Sequence, residues 1–173
     1  MRLPVNVPYV VDNLWEWLRP ASMPCRRHAV YASPTPELAL QNAATPQRRA
    51  EYNAYVVDIA GAYLVAQLPQ KDAREHPDIR RIRQLAQDRQ PAWAAMPWEA
   101  RQHIAMLFAP GCTKADICRV IEEDDAAASF VKEATVLSTF WTDACGDIGH
   151  GDGELFFELQ HPATYRLRPL AEA

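Results

Sequence analysis

Proline is the residue that most limits this chain: it occurs 14 times in 173 residues, about 8% against the usual ~5%. Each proline fixes φ and removes a backbone donor, so long unbroken helices and central strands are disfavoured. The prolines fall between patterned segments, which therefore read as short elements. Hydrophobic types at 49% and charged types at 23% supply enough apolar surface for a core without staples. At roughly 150 residues per domain, a single domain spanning 1–173 is expected. No run approaches the ~20 apolar residues of a membrane helix, so no membrane association is expected.

Val5–Val11 reads as a short β segment edged by Pro4 and Pro8. Asp12 then caps a helix over Asn13–Arg19 that Pro20 ends. His28–Ser33 (HAVYAS) and Ala54–Ala60 (AYVVDIA) are strands, with Gly61 bending the second and Ala62–Gln67 continuing it. Between them, Thr35 caps a helix over Pro36–Ala44. From Lys71 the period becomes helical: Ile79, Ile82, Leu85 and Ala86 recur among arginines over Asp78–Arg89, with Pro91 and Pro97 as breaks. Trp98–Phe108 is the next helix. Another begins at Thr113, with Asp116 completing a capping-box variant, and Phe130–Ala144 follows a break near Asp124. Cys145–Gly153 is a glycine-rich loop, Glu154–Leu159 (ELFFEL) a strand, and Thr164–Leu167 another. Strands at both ends with helices gathered between them predict an α+β fold in which 71–145 is a mainly helical insertion.

The charge is uneven. Residues 1–112 carry 13 Lys and Arg against 10 Asp and Glu, whereas residues 113–159 carry 3 against 11. No long basic stripe exists, so bulk nucleic-acid binding is disfavoured. Met1–Val11 lacks the apolar core and cleavage site of a secretory signal, which predicts a cytoplasmic location or export without such a signal. Cys25, Cys112, Cys118 and Cys145 lie far apart and read as reduced thiols, with no CxxC pair for a zinc ribbon.

Several side chains could carry chemistry. In an extended strand Ala29, Tyr31 and Ser33 share one face. Tyr31 then offers a flat ring to a planar ligand, while Ser33 and the following helix N-terminus suit a phosphate or ribose. Arg26 and Arg27 precede the strand and suit a diphosphate. The same pattern also describes a half-buried core tyrosine beside solvated arginines. His150, Asp152 and Glu154 would share a face if extended and could ligate a divalent metal. Two intervening glycines favour a solvated acidic loop instead, and no metal is expected. Cys145 with His150, or Cys25 with His28, could pair as nucleophile and base, but neither pair sits in a known signature. Walker and Rossmann glycine spacings are absent.

The run HAVYASPTPELALQNA, followed by AYVVDIAGAYL and by Lys71-Asp-Ala-Arg-Glu-His-Pro-Asp78, resembles the ADP-ribosyltransferase fold, closest to the small bacterial branch that includes rifamycin ADP-ribosyltransferases. The likeness covers roughly residues 5–80 and the C-terminal strand. It implies two small antiparallel-rich sheets around a cleft. It also implies NAD as substrate, with transfer of ADP-ribose to a protein, nucleic-acid or small-molecule acceptor, in a toxin, an effector or a small-molecule modifier. By this resemblance Tyr31 matches the tyrosine that stacks on nicotinamide, and Ser33 matches the small hydroxyl residue ending that strand. The acid that stabilises the ribosyl cation falls on Glu154, with Asp72 or Asp78 as competitors. Glu158, four residues on, would share its face. The family's first-strand His or Arg has no counterpart in Pro8-Tyr9-Val-Val-Asp12, so Tyr9 stands in, or Arg27 or His28 reaches the ribose from the side. The alternative is a non-catalytic binding, adaptor or immunity protein of the same fold that grips a basic partner with its acidic half.

Overall fold

A computed structural model describes residues 7–149 and 151–170. Its elements in chain order are α1 (Tyr9–Leu18), β1 (Val30–Ala32), α2 (Pro36–Ala43), β2 (Tyr55–Ala60), β3 (Tyr63–Gln67), α3 (Pro77–Ala94), α4 (Trp98–Met106), α5 (Lys114–Glu123), α6 (Asp125–Leu137), α7 (Phe140–Asp143), β4 (Leu155–Leu159) and β5 (Thr164–Pro169). The architecture is α+β, with seven helices and five strands in two small antiparallel sheets among the described residues. The chain divides into two compact units. One combines the segment ending at Pro20 with His76–Thr142; the other combines Ala21–Glu75 with the segment from Asp143 onward. No described helix is long and apolar enough to cross a membrane.

In the helical unit, α1 packs against α3, α5 and α6. The β segment expected over Val5–Val11 is corrected here: Tyr9–Val11 open α1, while Val5 and Asn6 lie outside the described residues. The physical reason is tertiary. Val10, Val11, Leu14 and Trp15 are all at most 3% exposed and fall on one face only at helical spacing, which overrides their strand propensity. Pro8 sits at the N-cap position, where its missing N–H is not needed. Asp12 is accordingly a buried first-turn residue rather than the cap.

Asp78 is the polar centre of this unit. It is fully buried at the start of α3. Its carboxylate accepts from Trp15 Nε1 at 2.9 Å, Ser138 Oγ at 2.7 Å, and the backbone N–H groups of Thr139 and Phe140 at 3.1 Å each. Trp15 stacks on Phe140 with ring centroids 4.0 Å apart. The α3 helix runs through Pro91, where a break is expected from the sequence, and ends only at Ala94. Thr113 and Asp116 form the expected capping box of α5.

The sheet unit holds a three-stranded sheet, in the order β1-β4-β3, and a two-stranded sheet of β2 and β5. Its construction is a bent ribbon. Rather than continuing β2 as the sequence suggests, β3 passes from one sheet to the other, and β4 and β5 do the same on the return. The two corners meet at Gly61 and Ala163. Gly61 has φ +108°, and a Cβ there would lie 2.8 Å from the Ala163 Cβ, so only glycine fits. The bend leaves a cleft of about 690 Å³ between the sheets, with α2 along one side. Leu155 and Phe157 of β4 face it, opposite Val57 and Leu167.

Candidate functional site

Alternation along β4 turns Glu154, Phe156 and Glu158 away from the cleft that Leu155 and Phe157 line. The register of β1 on β4 pairs Tyr31 with Phe156, and their rings stack 6.1 Å apart. Tyr31 thus lies against Phe156, two residues along β4 from Glu154, and also borders the cleft. The Tyr31 hydroxyl donates to the Arg26 carbonyl at 2.7 Å, and the Arg26 guanidinium lies 5.9 Å from the Tyr31 ring centre.

Glu154 is held from both directions. Its backbone N–H donates to the Gln70 carbonyl at 2.8 Å, and its carbonyl accepts from Leu68 N–H at 3.0 Å. The preceding Gly153 packs so closely that a Cβ would fall 1.4 Å from the Leu68 carbonyl oxygen. The Gln67 side chain, 1% exposed, fixes the glycine-rich loop: it donates to the carbonyls of Gly151 and Gly153 at 3.2 Å and accepts from Gly149 N–H at 3.0 Å.

The Glu154 carboxylate accepts from Ala73 N–H at 3.1 Å, which sets it beside Asp72 and Arg74. Desolvation pushes its pKa up to about 7; the Arg26 charge pulls it down, Asp72 pushes it up, and the Ala73 N–H and Arg74 pull it down again. The net result is a carboxyl poised near neutral pH within a cluster of two arginines and a second acid. Arg74 itself is bound to Asp72, Nε to Oδ2 at 3.1 Å. Strongly shifted carboxyls of this kind concentrate where proton transfer or charge stabilisation is needed.

The remaining expected site residues have neighbours of their own. Arg27 is buried at 5% exposure. His28 Nδ1 lies 3.8 Å from Glu158, whose other oxygen accepts from Cys25 N–H at 2.7 Å. Ser33 lines the cleft, where its hydroxyl accepts from Asn42 Nδ2 at 3.3 Å. Thr35 caps α2 as expected, accepting from Leu38 N–H. Tyr9 belongs to the helical unit, as the first residue of α1. Asp78 belongs there too, and its oxygens accept hydrogen bonds within the helical core. Asp72, the other competitor, sits within the Glu154 cluster. His150 lies outside the described residues, and Asp152 is exposed on the loop.

Sequence reading missed Arg74, Gln67 and Gly153. Arg74 lies inside the singled-out 71–78 stretch, but the Ala73 N–H that draws Glu154 to it is 81 positions from the glutamate. No family model matches the chain, and neither a curated protein nor a solved structure matches it.

Proposed function

We propose that the sheet unit is the catalytic part of an NAD-dependent mono-ADP-ribosyltransferase, with Glu154 as its acid. The observation that carries this reading is the set of charges around Glu154, namely Arg26, Asp72 and Arg74, with Tyr31 against Arg26 and the Glu154 carboxyl raised to about 7. The bond broken is that between the ribose anomeric carbon and the nicotinamide nitrogen. Nicotinamide departs with the bonding electron pair, leaving positive charge on the ribose. The ionised Glu154 carboxylate stabilises that charge in a site partly stripped of water. A nucleophilic oxygen or nitrogen of the acceptor then bonds to the anomeric carbon, and its proton passes to Asp72 or to water. Arg74, about half exposed, offers a guanidinium to the diphosphate, and Tyr31 offers its ring edge to the nicotinamide.

One observation favours a second reading, a binding protein without turnover. Among the described residues no charged side chain lines the 690 Å³ cleft, and Glu154 is not one of its lining residues, so this cleft suits neither a diphosphate nor the acid chemistry.

Nicotinamide release from NAD separates the two. The enzyme reading expects release by the wild type and its loss, by ~100-fold or more, in Glu154→Gln. Absence of both release and an NAD-dependent thermal shift leaves the binding reading.

A further inference from the structure

The helical unit carries a second opening, unrelated to the carboxyl cluster. It is a groove of about 650 Å³ lined by Val10 of α1, Arg83 and Trp93 of α3, and Arg101, Ile104 and Phe108 on or just after α4. The floor is apolar and built on helices. The Trp93 ring is held edge-on by Phe108 at 5.9 Å and by Phe130 at 5.2 Å, so one wall is rigid.

The two arginines decide what such a groove accepts. Elsewhere on α3, Arg81 lies 3.8 Å from Asp78, and Arg89 pairs with Glu133. Arg83 has no hydrogen bond or ion pair among the described residues, and Arg101 has only the ring of Trp98, 5.6 Å from its guanidinium carbon. Thus, among the described residues, two forked cations that form no ion pair border a mainly apolar trough. Both arginines are exposed and stay hydrated beside a purely apolar ligand, whereas an anionic head adds a charge-assisted partner for them. The volume lies within the range of small-molecule sites.

We infer that this groove binds a small amphipathic anion, an acyl or aryl body in the trough with a carboxylate between Arg83 and Arg101. The inference stands apart from the ADP-ribosyl transfer reading, since it uses no residue of the sheet unit.

The test is calorimetric titration of the whole chain with octanoate and, separately, with octanol, both below their aggregation limits. Octanoate is expected to bind at least about tenfold more tightly than octanol. Arg83→Gln and Arg101→Gln are each expected to remove most of that preference while leaving octanol binding unchanged. Ala105→Phe, on the exposed side of α4 within the groove, is expected to weaken both ligands while the protein stays folded. Equal binding of octanol and octanoate would overturn the assignment. So would octanoate binding that survives both arginine changes, or no octanoate binding at millimolar concentration by a folded wild type.

Discussion

Two buried or half-buried carboxyls illustrate how environment divides one functional group into opposite roles. Asp78 is surrounded by donors: an indole N–H, a hydroxyl and two backbone N–H groups converge on it. Asp78→Ala would strand all four in a dry core. We expect it to destabilise the protein by at least about 3 kcal/mol in urea titration, because orphaned buried donors forfeit their desolvation cost. Glu154 has one close backbone donor and a second acid nearby, so ionising it in the fold is unfavourable. Its folded pKa, about 7, lies above the ordinary value of 4.5. The stability contributed by its protonated form is therefore complete below about pH 4.5 and is lost as pH rises through 7. Glu154→Gln removes that dependence and keeps an acceptor for the Ala73 N–H. We expect the variant to be more stable than wild type by about 1–3 kcal/mol near pH 8, with the gain shrinking toward pH 5. Thermal unfolding at both pH values measures this. Such a gain would show that the ionised Glu154 carboxylate opposes folding.

The elements show where local sequence is informative and where it is not. The α5 capping box and the Thr35 cap of α2 are set by residues within three positions, so the sequence displays them directly. Gly61 is readable as a bend, but the exchange of sheets at that bend is not, because it depends on Ala163 packing against it from 102 residues away. Likewise Val10 and Val11 are strand-forming side chains and become helix because the helical face buries them. At the start of β4 the determining residue is Gly153, whose missing side chain lets Glu154 approach Leu68 and Gln70. Gly153→Ala cannot be relieved by a side-chain rotation, since the clash is with a backbone oxygen. We expect a loss of about 3 kcal/mol or more by denaturant titration, together with release of the Gln67-pinned loop to hydrogen exchange.

At the scale of the whole molecule, the α+β class and the placement of helices in the middle of the chain follow from proline spacing and hydrophobic period. The division into two units does not, since the segment ending at Pro20 joins residues beyond His76. The candidate site was legible as Tyr31, Glu154 and, in second place, Asp72. Its arrangement was not, because alternation on β4 puts Glu154 on the face away from the cleft that Ser33 lines, while Tyr9 belongs to the other unit. The pH dependence of nicotinamide release is the most direct test of the proposed chemistry. If ionised Glu154 stabilises the ribosyl cation, kcat/KM rises with pH to a plateau, with an apparent pKa near 7 that is missing from Glu154→Gln, whose release is flat and at background. Release that is independent of pH between about 5 and 9, or equal in wild type and Glu154→Gln, would contradict it.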